Sequence, residues 1–428
     1  MITLKQTFKL SILTLAVSST LPAFAATKYD QAEIIQLRQE VKELRALIEQ
    51  QQVSQRQNTV AITQLNETAK TQAMAKQPKP TLASGTEISF YGNVRFDASY
   101  QAEGSAADRL YNNINKVPLK GNGEASDRLK STLSATRFGA DLKSQLNGQD
   151  VSGKLEVDFL GGASLDSLRI RHAYMNYGNW LIGQTWSNFA IPDYMPETID
   201  ALGYVGGAVK RTPQVRYTHG FSPSTSLVFA AEDPKDSFSK MRTPAITARL
   251  NHQINQDGRV SLRVMTDEKH TEEDKTLAWG VGLGVQYKLA PKTTLKADYY
   301  HVKGDGSFVS WTNPGFSTNA NGKILADNEF DSITVGLTQN INEKWRATLG
   351  FGYMEADVSD RYKEGTVNKI DVNKKLWQGW ANAFYSPVKP LSFGIEYVYG
   401  ERKAIIDAPS GSNTGIDNRV NAVAIYNF

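Results

Sequence analysis

Ile88-Ser89-Phe90-Tyr91-Gly92-Asn93-Val94-Arg95-Phe96-Asp97-Ala98-Ser99-Tyr100 changes character at every residue. Ile88, Phe90, Gly92, Val94, Phe96, Ala98 and Tyr100 make one face, and Ser89, Tyr91, Asn93, Arg95, Asp97 and Ser99 make the other. A period of two is that of a β-strand with one apolar face. Working outward, the alternation recurs at Leu155/Val157/Phe159, Trp279/Val281/Leu283/Val285/Tyr287/Leu289, Ile333/Val335/Leu337, Ala347/Leu349/Phe351/Tyr353 and Phe393/Ile395/Tyr397/Tyr399. The opposite faces are polar or glycine.

The connections come in two lengths. Seven are short, around Asn147-Gly148, Gly178-Asn179, Gly220-Phe221, Asp257-Gly258, Pro291, Asn342 and Pro387. Eight are longer: 101–127, 161–166, 187–209, 233–243, 267–276, 303–329, 357–373 and 403–417. The two kinds alternate and the first and last are both long, so sixteen strands result, with both ends on the short-turn side. This asymmetry is that of an outer-membrane barrel, with short periplasmic turns and longer outer loops. The predicted fold is all-β, a 16-stranded antiparallel transmembrane β-barrel over 87–428, preceded by an N-terminal α-helical coiled coil. A soluble sandwich or solenoid is the rival, and period alone does not separate them. No repeat of about 20–50 residues is visible. Aromatics (Tyr100, Trp279, Tyr287, Trp345, Tyr353, Tyr399) stand near strand ends, as interfacial girdles require. The chain ends in an alternating run, Val420-x-Ala422-x-Ala424-x-Tyr426-x-Phe428.

Ahead of the strands, Lys5 and Lys9 precede the apolar run Leu10 to Val17, and Ala23-Phe24-Ala25 follows Pro22. Residues 1–25 are therefore expected to be a secretory signal peptide. Residues 26–65 carry a heptad stripe with Ile34, Val41 and Ile48 at a, and Leu37 and Leu44 at d. A periplasmic coiled coil is expected there, with Ile34, Leu37, Val41, Leu44 and Ile48 as its core. A lone amphipathic helix is the alternative. Residues 66–86, with Pro78 and Pro80, form a linker.

The 428 residues include no cysteine. That excludes a disulfide framework, thiolate metal sites and cysteine catalysis. Five histidines without H-x-x-x-H or H-x-H spacing argue against a metal site. No cofactor and no nucleic-acid partner is expected. Nothing beyond the N-terminus is apolar for the roughly 18–20 residues a membrane helix needs.

With apolar parity pointing outward, Arg95, Arg137, Arg169, Arg171, Arg216, Arg249, Arg263 and Arg346 point into the lumen as candidate pore-lining bases. An arginine at mid-bilayer costs about 2–4 kcal/mol, so parity alone explains where each points, but not why there are so many. Asp97, Asp141, Glu156, Asp158, Asp298 and Glu396 share that face. The formal charge of +4 falls to +2 without residues 1–25, and residues 26–80 carry that +2. The barrel is neutral, so selectivity must come from segregated charge. The connection at 187–209 mixes apolar and acidic residues. In sixteen-stranded porins the loop after strand five folds inward. By that analogy Asp193, Tyr194, Glu197 and Asp200 form a constriction facing the arginines; a loop packed on the rim is the alternative. Gly280-x-Gly282-x-Gly284 alternates with Val281 and Leu283, which indicates a smooth lumen face rather than a nucleotide loop. No G-x-S-x-G elbow is present, and an enzyme is not expected. An adhesive or structural barrel, whose coiled coil binds a periplasmic partner or peptidoglycan, is the competing function.

Thr136-Arg137-Phe138-Gly139, Arg169-x-Arg171-His172-Ala173-Tyr174, Gly183-Gln184-Thr185-Trp186-Ser187-Asn188-Phe189 and Phe393-Gly394-x-Glu396-Tyr397-x-Tyr399-Gly400-Glu401-Arg402 resemble the dicarboxylic-acid porins of the DcaP family of Gram-negative bacteria. The resemblance runs over essentially the whole chain. It implies a homotrimer in the outer membrane, among its lipid and lipopolysaccharide, with a coiled-coil stalk and a channel for small anionic solutes, dicarboxylates among them. His172 has outward parity here, which would place it in a subunit interface.

Overall fold

The computed structural model describes residues 35, 39, 42, 81, 85–104, 110–124, 126–162, 166–207 and 209–428. The chain divides into two units, Met1–Pro78 and Lys79–Phe428. In the first, Ile35, Gln39 and Lys42 are helical and exposed. With Ile34 at a, these are b and f positions, off the apolar stripe. Ile34, Leu37, Val41, Leu44 and Ile48, and the expected signal peptide, lie outside the described residues.

The second unit is a closed barrel. Its strands are β1 (Glu87–Glu103), β2 (two pieces, Arg128–Thr132 and Arg137–Leu146), β3 (Gln149–Gly161), β4 (Ser167–Tyr177), β5 (Trp180–Trp186), β6 (Arg211–Ser222), β7 (Thr225–Glu232) and β8 (Ala245–Asn255). Then follow β9 (Gly258–His270), β10 (Lys275–Ala290), β11 (Thr293–Lys303), β12 (Glu329–Asn340), β13 (Trp345–Asp357), β14 (Asn373–Val388), β15 (Leu391–Ala404) and β16 (Thr414–Asn427). Each pairs antiparallel with the next, and β16 returns to β1. The sixteen-stranded antiparallel barrel expected from the alternation is what forms. No helix among the described residues is long and apolar enough to cross a membrane.

Short and long connections alternate as expected. The Asn147-Gly148 turn has both residues at positive φ, 52° and 79°, which matches hairpin twist to strand twist. The β6–β7 turn falls at Pro223-Ser224 and the β14–β15 turn at Lys389-Pro390, a few residues beyond the expected places, because the strands run on. At the seam, Gly92 and Phe428 exchange backbone N–H···O bonds, both 3.1 Å. Where β2 is interrupted, the Thr136 hydroxyl accepts the Arg95 N–H at 3.1 Å.

The outer surface follows the alternation: Phe90, Val94 and Phe96 are exposed, while Asp97 and Ser99 are buried. The interior does not follow it everywhere. Met265, Val302, Phe330, Met354, Ala356 and Leu376 point inward near the long-loop end. They pack on Ile114 and Val117 of the β1–β2 loop, Phe189, Ala190 and Val205 of the β5–β6 loop, and Phe308 and Val309 of the β11–β12 loop. Three loops thus form an apolar core inside the barrel, and the strand ends are apolar on both faces. Burial worth about 25 cal/mol per Å² keeps the loops there.

Candidate functional site

The β5–β6 loop crosses the interior, and arginines bracket it. Arg263, fully buried against Asp298 and Tyr300, donates to the Phe189 carbonyl at 3.2 Å. Asp193 lies 3.7 Å from Arg259. Tyr194 has Arg263 at 5.5 Å from its ring centre. Glu197 pairs with Arg346 at 2.8 Å. Arg95 donates to the Ile199 carbonyl at 2.5 Å. Asp200 pairs with Arg419 at 3.2 Å and accepts from the backbone N–H groups of Asn112 and Leu202. Complete burial pushes the Asp200 carboxyl up to about 6, with Arg419 and those amides pulling the other way.

The wall under the loop is cut away by glycine. A Cβ at Gly280 would stand 3.1 Å from the Phe189 ring. At Gly284 it would strike Tyr194, at Gly336 it would reach Pro196 (2.6 Å), and at Gly394 it would reach Ile199 (2.9 Å). Gly280 and Gly284 are therefore seats of the loop rather than open lumen, while Gly282 makes room for Tyr300 and Arg263.

Glu396 fixes the loop's far limb. It accepts from Thr198 Oγ1 (3.1 Å), Ile199 N (3.0 Å), Tyr204 Oη (2.6 Å) and Asn382 Nδ2 (3.0 Å). Glu396→Ala strands several buried donors, each costing about 1–3 kcal/mol. We expect a destabilisation of about 3 kcal/mol and a loosened loop. Single-channel conductance should rise or become noisy; a quiet channel of unchanged conductance would contradict the anchoring role.

The other wall of the passage is arginine-rich. β3 supplies Glu156 and Asp158, and β4 supplies Arg169 and Arg171. Arg169 grips Asp158 in two bonds of 2.9 and 2.7 Å. Arg171 reaches Glu156 at 2.6 Å and Asp158 at 3.1 Å. Arg137 approaches Glu156 at 3.4 Å. Three guanidinium groups thus share two carboxylates. Arg137 and Arg169 remain 33% and 28% exposed, whereas Arg171 is only 9% exposed and braces the acids. Arg211 lies 4.5 Å over the Trp186 ring and, among the described residues, has no carboxylate within ion-pair distance. Arg95, Arg137, Arg169, Arg171 and Arg211 line one side of a cavity of about 500 Å³. The loop residues Met195 to Thr198 and Asp200 to Gly203 line the other.

All eight arginines singled out by parity turn inward, but they divide. Arg95, Arg263 and Arg346 hold the loop. Arg137, Arg169 and Arg171 form the charged wall. Arg216 is spent on Gln214 Oε1 (2.8 Å) and the Trp186 carbonyl (2.5 Å). Arg249 has no carboxylate partner among the described residues. His172 does not face outward: Arg171 is an extra residue in the β3–β4 ladder, and this bulge turns both side chains inward. His172 Nδ1 then meets Thr185 Oγ1 at 3.0 Å. Arg211 and Arg419 escaped the sequence reading. The inward parity of Arg419 was legible; that of Arg211, at a strand end, was not. Among the described residues no cluster of His, Asp or Glu is arranged to hold a metal.

A profile described as DcaP outer membrane protein matches residues 23–428. The outer membrane channel DcaP of Acinetobacter baumannii is similar at 35% identity and a TM-score of 0.74, over 82% of this chain and 99% of that one. Two others share the fold. The anion-selective porin from Comamonas acidovorans has a TM-score of 0.53 at 12% identity, over 80% of this chain and 100% of that one. The trimer form of OmpT of Vibrio cholerae has a TM-score of 0.51 at 14% identity, over 80% and 99%. No curated protein matches.

Proposed function

The chain belongs to the DcaP family of outer membrane proteins, and from that premise we propose that it is a trimeric porin for passive diffusion of small anions, dicarboxylates in particular. Its relatives are channels, not enzymes. The observation that carries the anion reading is the cavity wall. Five guanidinium groups and three carboxylates (Asp158, Glu197, Asp200) line the passage, in a barrel that is neutral as a whole. A dicarboxylate passing Arg137, Arg169 and Arg211 exchanges hydration for paired charge, and the loop opposite limits its size. Residues 1–25 act as a signal peptide. Residues 26–65 form a periplasmic coiled coil that supports the trimer, joined to the barrel by the linker at 66–86.

The test is planar-bilayer conductance of the purified protein under a salt gradient, followed by succinate titration. Conductance in threes, an anion-selective reversal potential and block by millimolar-range succinate are expected. Cation selectivity would overturn the anion reading. Absence of conductance would favour the adhesive barrel.

A further inference from the structure

The cavity beside the arginine wall has a third side. Ser310 and Trp311 of the β11–β12 loop line it together with the β5–β6 loop. The sequence there is Gly304-Asp305-Gly306-Ser307-Phe308-Val309-Ser310-Trp311-Thr312-Asn313-Pro314-Gly315, with glycine at both ends. Glycine lets the two limbs of this segment touch at its neck. A Cβ at Gly306 would strike the Asn313 carbonyl, and one at Gly315 would strike that of Gly304. Asn328, just before β12, holds both limbs. Its N–H donates to the Gly315 carbonyl and its carbonyl accepts the Gly304 N–H, each at 2.8 Å. Asp305 then turns the chain, accepting the N–H groups of Ser307 (2.5 Å) and Phe308 (3.2 Å). It also pairs with Lys269 of β9, which Asp236 and Asp267 hold at 2.8 and 2.6 Å. The neck is fixed, and the tip is laid into the barrel.

The tip meets the β5–β6 loop at two points. The Phe308 ring lies 5.7 Å from that of Phe189. The Ser310 N–H donates to the Gly207 carbonyl at 3.4 Å. Trp311 follows with φ at +70°. That left-handed conformation crowds a Cβ and is an outlier for a bulky side chain. Among the described residues Asp127, Asn147 and Lys235 share it, and all three are polar and exposed. Trp311 is neither: it packs on the apolar core formed by the loops and lines the cavity. Glycine or asparagine would make the same turn with less strain. A bulky ring held at such a position points to a use for the ring itself.

We propose that Trp311 is a size-determining residue of the passage, a second narrowing set by the β11–β12 loop beside the one that the β5–β6 loop makes. The inference rests on the porin reading and deepens it. Phe308 and Ser310 tie the two loops together, so Trp311 keeps its place against the passage as long as the β5–β6 loop keeps its own. An indole carries no formal charge. It limits bulk without altering the sign of the ions admitted.

The chain has no cysteine, so Trp311→Cys in the full refolded protein gives a single chemical handle. In planar bilayers W311C should conduct more than wild type. In liposome swelling it should raise the rate for a disaccharide relative to that for a pentose. Labelling with N-benzylmaleimide, which is bulky and neutral, should return both readings toward wild type. The anion-over-cation ratio should stay unchanged throughout. Restoration by added bulk separates a size filter from a packing residue, whose loss a label would not repair. W311F, which keeps a ring, should behave as wild type. W311G should unfold no earlier than W311A, the reverse of the usual order, because glycine relieves the positive φ. The proposal is overturned if W311C conducts and discriminates as wild type, fails to take the label, or keeps its raised conductance once labelled. Each of those results leaves the porin reading standing, whereas a wild-type chain that does not conduct overturns the porin reading and this proposal with it.

Discussion

Replacing Arg137 and Arg169 together with alanine is expected to lower the anion-over-cation permeability ratio about fivefold. The two groups are the partly exposed members of the charged wall. The cavity lining has five guanidinium groups against three carboxylates, so their loss brings it to balance, with Glu156 just behind. A charge about 8 Å from an ion's path contributes about 0.5 kcal/mol in a water-like dielectric, with opposite sign for anion and cation. Removing two therefore shifts the ratio by about 2 kcal/mol unscreened. A Debye length near 8 Å cuts this to about 1 kcal/mol, or fivefold. Arg171 is left in place on purpose. It is the buried partner of Glu156 and Asp158, and its removal would cost about 3–5 kcal/mol through uncompensated charge. The reversal potential in a salt gradient reads the outcome. An unchanged value, with the folded channel intact, would remove this wall from the selectivity mechanism.

Gly92→Val is expected to stop the barrel from closing. A Cβ at Gly92 would run into the Arg137 carbonyl of β2 and the Phe428 ring at the end of the chain. The Phe428 ring is exposed and can swing aside, but the Arg137 carbonyl cannot retreat. The Arg137 backbone is locked in the β1–β2 ladder, and shifting Gly92 away from it would strain the two backbone bonds to Phe428. Overpacking costs about 1–3 kcal/mol, and two broken seam bonds add about 1 kcal/mol each. The loss falls at the end of the seam between first and last strands, which otherwise runs from Asn93 opposite Asn427 to Glu103 opposite Asn418. The variant should lack the compact species that resists unfolding in detergent without heating. Gly220→Val, placed where nothing lies within 4 Å, is the matched control and should fold. A Gly92→Val barrel at wild-type yield would show that the seam tolerates displacement.

The barrel was legible because lipid exposure fixes strand parity: an arginine on the wrong face is costly, so every strand declares its two sides. Turn chemistry then fixed the count, as at Asn147-Gly148. The interior was legible only in part. Parity placed the eight arginines inward but could not divide them into loop brackets and channel wall, because that depends on the path of residues 187–210. The bulge at Arg171 reversed His172, since one added residue shifts everything beyond it. Inward Met265, Phe330 and Leu376 broke the alternation because loops supply a second apolar layer. The row Gly280/Gly282/Gly284 was visible, but the purpose of Gly280 and Gly284 lay in Phe189 and Tyr194, about 90 residues earlier in the chain. The heptad core Ile34 to Ile48 stands as a proposal for the stalk.

The glycine seat makes the calibre of the passage a property of the wall as much as of the loop. Tyr194, Pro196 and Ile199 rest directly on Gly284, Gly336 and Gly394. Adding a methyl group to any one of these positions would act as a shim, lifting the loop toward the arginines without changing a single loop residue. Bore and charge can therefore be adjusted by separate substitutions, on opposite sides of the same opening. A lineage of such channels can drift in the size of what it admits while keeping the sign of what it attracts.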